Sequence, residues 1–91
     1  MSVTVKIPTQ LRAVTAGEAE ASVEDVHTVG EVLDGLYERY DGLRERIAED
    51  GDLRRVVNVY VEGEDIRFLD GLETQVEDGD EVTILPAVAG G

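Results

Sequence analysis

Thr28-Val29-Gly30-Glu31-Val32-Leu33-Asp34-Gly35-Leu36-Tyr37-Glu38-Arg39-Tyr40-Asp41-Gly42 is the stretch that decides how this chain folds. Upstream of it, apolar and polar residues alternate. Here the apolar positions Val29, Val32, Leu33, Leu36, Tyr37 and Tyr40 recur at helical spacing and form one stripe. Asp34, Glu38 and Arg39 lie away from it. Thr28 and Glu31 stand three apart, as in a capping box, where the hydroxyl accepts from the third N–H and the carboxylate reaches back. Gly42 is the expected C-terminal cap. Gly30 and Gly35 each cost a helix about 1 kcal/mol relative to Ala. Gly30 is expected to allow close approach to a sheet; nothing in the sequence accounts for Gly35.

Working back from this helix, Glu18-Ala19-Glu20-Ala21-Ser22-Val23-Glu24 alternates with Ala19, Ala21 and Val23 on one side. Val3-Thr4-Val5-Lys6-Ile7 alternates more strongly, with Val3, Val5 and Ile7 inward. Pro8 ends that run, Leu11 and Val14 fold in behind it, and Gly17 supplies the turn. The two runs read as an antiparallel hairpin.

Working forward, Leu43 to Ile47 continues as a short helical segment ending near Asp50-Gly51. Val56-Val57-Asn58-Val59-Tyr60-Val61 is β-branched and aromatic, the composition of a strand. Val57, Val59 and Val61 face the core; Asn58 and Tyr60 face out. Glu62-Gly63 turns the chain, and Ile66-Arg67-Phe68 is expected to form a short edge strand. Leu69 to Val76 is irregular with a short helical turn, holding Leu72 and Val76 against the core. Asp78-Gly79-Asp80 is a turn signal. Glu81-Val82-Thr83-Ile84-Leu85 is the last strand, with Val82 and Ile84 inward and Thr83 and Leu85 outward. The order is hairpin, helix, then further strands. That is an α+β β-grasp, or ubiquitin-like, fold: a mixed four- to five-stranded sheet with one main helix across it. Residues 1–86 form the domain and 87–91 a flexible tail.

Composition narrows the function. With 91 residues there is room for one domain. A net charge of −13, from 21 acidic and 8 basic residues, argues against nucleic acid and anionic membranes, which need clustered Lys and Arg. The same charge favours a partner with a basic docking surface. There is no cysteine, so disulfides, Cys-based zinc sites and thiol nucleophiles are excluded. No signal peptide or membrane-spanning stretch is evident, and a cytoplasmic location is expected. His27 is the only histidine, and no second group at suitable spacing completes a nucleophile–base pair. Asp78-Gly79-Asp80 lacks the closing Glu of a calcium loop and reads as a turn, so no metal site is expected. There is no Gly-rich phosphate loop, so the chain has no evident means of binding ATP itself.

What remains is the tail Pro86-Ala87-Val88-Ala89-Gly90-Gly91. Pro86 has no N–H to give a ladder and is expected to break the last strand. Beyond it the side chains are small or absent. Gly lacks a Cβ, so Gly90 and Gly91 can enter a narrow channel, and the small or modest Ala87, Val88 and Ala89 thread behind them to deliver the carboxylate of Gly91 into another protein's active site. Conversion to an acyl-adenylate would make that carboxylate a good electrophile, and no internal thiol could intercept it.

Asp78-Gly79-Asp80-Glu81-Val82-Thr83-Ile84-Leu85-Pro86-Ala87-Val88-Ala89-Gly90-Gly91 resembles the C-terminal signature of the MoaD/ThiS family of sulfur-carrier proteins. Val57-Asn58-Val59-Tyr60-Val61, Glu64-Asp65-Ile66-Arg67, Gly71-Leu72-Glu73-Thr74 and the opening Val3-Thr4-Val5-Lys6-Ile7-Pro8-Thr9 with Leu11-Arg12 are similar to the CysO-type branch that serves cysteine biosynthesis. The resemblance implies a non-enzymatic co-substrate. An ATP-dependent adenylating and sulfur-transferring enzyme would convert Gly91 to a thiocarboxylate. A pyridoxal-phosphate-dependent cysteine synthase would consume it, and a JAMM-type zinc metallopeptidase would release cysteine from the Gly91 adduct. ATP, pyridoxal phosphate and zinc belong to those partners, and the carrier would be a monomer in transient complexes. Asn58, Tyr60, Thr83 and Leu85 form the candidate docking surface near the tail. The alternatives are a molybdopterin-synthase small subunit using the same thiocarboxylate, a shorter-type thiamin carrier, a ubiquitin-like tag conjugated through Gly91, and a β-grasp interaction module whose tail is inert.

Overall fold

A computed structural model describes residues 2–49, 52–53 and 57–86. Strand β1 (Ser2–Lys6) leads through a 3-10 segment, Thr9–Val14, to β2 (Glu20–Glu24). Helix α1 (Val29–Arg39) and the short α2 (Leu43–Ile47) follow. A two-stranded ribbon of β3 (Ala48–Glu49) and β4 (Asp52–Leu53) comes next. Then come β5 (Val57–Val61), β6 (Glu64–Asp65), two 3-10 turns at Ile66–Phe68 and Gly71–Glu73, and β7 (Glu81–Pro86).

The main sheet has the order β2-β1-β7-β5-β6. Its two central strands, β1 and β7, run parallel, and every other pair is antiparallel. The chain's first and last strands are thus neighbours, and they are joined through the Asp-Gly-Asp turn. Asp78 Oδ1 accepts from the Ser2 N–H at 2.8 Å, and the Gly79 N–H donates to the Ser2 carbonyl at 2.8 Å. The Thr4 N–H donates to the Asp80 carbonyl at 3.0 Å, and Asp80 Oδ2 accepts from the Glu77 N–H at 2.8 Å. The acids of this motif are spent on backbone N–H groups, which confirms the turn.

Alternation sets the core. Val3, Val5, Ala21, Val23, Val57, Val59, Val61, Val82 and Ile84 face one side and are buried against Val29, Val32, Leu33 and Leu36 of α1. Ile7 and Leu11 close one end, and Leu43 and Ile47 of α2 fill another. Ala19 departs from the expected pattern. It precedes β2 and is exposed, because the strand begins only at Glu20, although its carbonyl still accepts from the Ile7 N–H at 2.8 Å.

The start of α1 is built as expected, with one shift. Thr28 Oγ1 accepts from the Glu31 N–H at 3.2 Å, but Glu31 Oε1 reaches past Thr28 to the His27 N–H at 2.6 Å. Neighbouring backbone ties this entrance to the segment before β7: the Val29 N–H donates to the Thr74 carbonyl, and the Val76 N–H to that of His27, both at 2.9 Å. At the far end Gly42 takes a left-handed φ of 87° and turns the chain into α2.

The two helical glycines exchange roles relative to expectation. A Cβ on Gly30 would meet the Leu72 carbonyl at 3.3 Å, so Gly30 faces the 3-10 turn and not the sheet. A Cβ on Gly35 would lie 2.8 Å from Val23 Cγ1. Gly35 is the residue that lets the helix sit down on β2. Two further expectations change. Ile66-Arg67-Phe68 is a 3-10 turn, because Asp65 Oδ1 caps the Arg67 N–H at 2.9 Å, and the edge strand is Glu64–Asp65 just before it. Pro86 does not break β7: it stands opposite Val57 as the strand's last residue. No helix among the described residues is long and apolar enough to cross a membrane.

At the margin of the core, where Tyr37 is half-buried, Arg44 stacks over its ring, 5.1 Å from the centroid. Burial, aided by the Asp34 carboxylate and opposed by Arg44, pushes the Tyr37 phenol up to about 12.

Candidate functional site

Gly91 and the residues expected to thread with it, Ala87, Val88, Ala89 and Gly90, lie outside the described residues. What is described is the platform that carries them. Strand β7 sits between β1 and β5. In its first half Val82 and Thr83 pair with both neighbours, and its last residues, Leu85 and Pro86, are held by β5 through Asn58 and Val57.

Helix α1 covers one face of this sheet, and on the other face the described side chains are half-buried or exposed. Register determines what that other face presents. Tyr60 stands opposite Thr83, and Asn58 opposite Leu85, so the four candidate docking residues form two adjacent cross-strand pairs. The Tyr60–Thr83 row extends both ways: Thr83 neighbours Lys6, Lys6 neighbours Glu20, and Tyr60 neighbours Asp65. Lys6 Nζ pairs with Glu20 Oε1 at 3.2 Å. Asn58, Tyr60 and Thr83 are half-buried, while Leu85 keeps 45% of its surface exposed. The structure therefore brings the four together beside the point where the tail departs.

Chemistry elsewhere is sparse. Among the described residues no group of three or more His, Asp and Glu side chains is placed to hold a metal ion. His27 contributes its backbone to the helix cap and its carbonyl to Val76. Thr15, fully buried, donates its hydroxyl to the Glu18 carbonyl at 3.0 Å and serves the hairpin connection.

Phe68, 87% exposed, and Leu69, 40% exposed, are surface apolar residues that the sequence pattern does not single out. As part of a strand, Phe68 would share the inward face of Ile66. The signal that was available is Asp65, a residue that bonds the backbone two positions on and starts turns.

A small β-grasp sheet with a helix across one face and a tail leaving its central strand is the architecture of a ubiquitin-like carrier or modifier. Residues 5–91 match the ThiS family model. The sulfur carrier protein CysO of Mycobacterium tuberculosis is 50% identical over 94 residues, covering all of both chains. A chain of the Amycolatopsis orientalis BexX/CysO complex superposes with a TM-score of 0.87 at 52% identity, over 98% of this chain and 99% of that one. Small archaeal modifier protein 3 of Haloferax volcanii is 48% identical over 69 residues, 76% of this chain and 75% of its own. The chain belongs to the ThiS family. Along its whole length it is similar to the sulfur carrier protein CysO.

Proposed function

We propose that the chain carries sulfur on the carboxylate of Gly91 for cysteine biosynthesis. The observation that carries this reading is the full-length match to CysO, which runs through the C-terminal residues of both chains. In the first step a Gly91 carboxylate oxygen attacks the α-phosphorus of ATP on an activating enzyme, and pyrophosphate leaves. A sulfur nucleophile then displaces AMP, and the thiocarboxylate results. That group is soft and largely ionised near neutral pH. It adds to an aminoacrylate on a pyridoxal-phosphate-dependent cysteine synthase. The thioester so formed rearranges by S-to-N acyl shift to a cysteine amide, and a zinc metallopeptidase hydrolyses that amide to release cysteine and restore Gly91. The carrier supplies the acyl group and the docking surface; ATP, pyridoxal phosphate and zinc are held by the partners. The Amycolatopsis BexX/CysO complex supports the expectation that a carrier of this fold docks on a protein partner.

The composition suits an activated terminus. There is no thiol, and Lys6 is the chain's only lysine. Its ammonium is engaged with Glu20. An activated Gly91 thus meets few internal nucleophiles.

A second reading, conjugation to protein lysines through Gly91, is favoured by the likeness to the archaeal modifier. The test is reconstitution with the host's activating enzyme, ATP and a sulfur donor. Intact mass with one oxygen exchanged for sulfur supports the carrier. Lysine-linked conjugates without that exchange support the modifier, and any chain built from the protein itself would have to be joined at Lys6 or the N-terminus.

A further inference from the structure

Phe68 is the outlier of this surface. A phenylalanine side chain held 87% in water forgoes the roughly 1.5–3 kcal/mol that full burial would bring. Random exposure of a loose loop does not describe it, because its turn is pinned. The Arg67 N–H donates to Asp65 Oδ1 at 2.9 Å, and Arg67 Nη2 donates to the Val57 carbonyl at 3.0 Å. The Leu69 N–H donates to the Ile66 carbonyl at 3.0 Å, and the Asp70 N–H to Thr74 Oγ1 at 3.0 Å. Ile66 just before it is buried at 1% exposure. An aromatic ring displayed on a rigid turn binds with little ordering cost, which is the profile of an interface anchor.

Its position is specific. The turn follows β6 antiparallel to β5, and Arg67 ties it to Val57, the residue opposite Pro86. Asp65, which caps the turn, is also the cross-strand neighbour of Tyr60. The turn that carries Phe68 therefore lies at the β5 edge of the sheet, at the end where β7 finishes. Charge selects the occupant. Glu64, Asp65, Asp70 and Glu73 surround the turn in sequence, on a chain of net charge −13. A second copy would set acid against acid, and an anionic membrane would do the same.

We propose that Phe68 is a docking anchor that enters an apolar pocket, rimmed by Lys and Arg, on the enzyme that activates Gly91. This rests on the sulfur-carrier reading. The test is ATP–pyrophosphate exchange by the host's purified activating enzyme as a function of carrier concentration, with wild type, Phe68→Ala and Phe68→Tyr. Phe68→Ala should raise the KM for the carrier by about tenfold or more, the effect of a buried anchor. It should leave kcat at saturation and the melting temperature unchanged, and Phe68→Tyr should restore most of the KM. An unchanged KM in Phe68→Ala overturns the proposal. So does a wild-type dimer in sedimentation that Phe68→Ala abolishes, since the occupant would then be a second copy. Failure of the wild-type chain to support any exchange would overturn the sulfur-carrier reading, and this proposal with it, before any variant is compared.

Discussion

The two faces of the central sheet are made by the same strands and differ in almost every respect. On the inner face Val3, Val5, Val59, Val82 and Ile84 keep 1% of their surface or less. On the outer face their immediate neighbours Thr4, Lys6, Asn58, Tyr60 and Thr83 are half-buried, and Leu85 is exposed. A period of two separates them: each residue that specifies packing is followed by one free to specify recognition. Packing is written on one set of alternate positions, and the proposed docking surface on the positions between them.

The adjacent pair Ile84 and Leu85 offers the strongest way to break that contrast. Ile84→Ala opens a cavity beneath α1 and should destabilise the chain by about 2–5 kcal/mol in denaturant unfolding. Leu85→Ala should change stability by no more than about 0.5 kcal/mol, as expected at the surface, and instead weaken binding to the activating enzyme. Equal losses of stability would mean that the outer face is part of the core.

Next in size is the seat of the helix. Gly35→Ala forces a methyl against the stiff, buried Val23, an overpacking penalty of about 1–3 kcal/mol. It regains about 1 kcal/mol of helix propensity, so the net change should be a loss of up to about 2 kcal/mol. Gly30→Ala, whose nearest contact is 3.3 Å from a turn carbonyl, should be close to neutral. Thermal melts of the two variants check this, and a larger loss at Gly30 would contradict it. At the helix start, Thr28→Ala removes the hydroxyl that accepts from Glu31 and should cost about 1 kcal/mol.

The smallest effect is a pH dependence at the rim of the helix. Tyr37 titrates near 12 in the folded chain against about 10 unfolded. The folded state therefore holds the phenolic proton more tightly, and stability falls as pH rises from about 10 towards 12. The difference in tyrosinate absorbance between wild type and Tyr37→Phe should show this phenol ionising late, and Tyr37→Phe should flatten the alkaline decline. An early ionisation would place Tyr37 in open water.

Much of this was legible from residues alone. Alternation gave the inward sets of β1, β5 and β7, and helical spacing gave the stripe of α1. Both follow from side-chain direction within one element. Errors arose where a residue answers to a distant neighbour. Gly35 is explained only by Val23, twelve positions away and on another element. Pro86 remains in its strand because Val57 stands opposite it. The Ile66–Phe68 turn follows from Asp65 capping a local N–H, which overrode the strand propensity of Ile and Phe. Of the candidate site, the grouping of Asn58, Tyr60, Thr83 and Leu85 followed from parity, but their pairing needed the register of β5 on β7. Exposed Phe68 was hidden by its own apolar character, which reads as core.

In the proposed cycle Gly91 is the working group, and the domain before it presents and addresses it. The direct measurement is intact and fragment mass of the chain after incubation with its activating enzyme, ATP and a sulfur donor, beside a variant extended by one residue beyond Gly91. Sulfur carriage at Gly91 should show as exchange of one oxygen for sulfur, confined to Gly91 and absent from the extended variant, with both chains equally folded. No exchange in the wild type, or the same exchange in the extended chain, would contradict it.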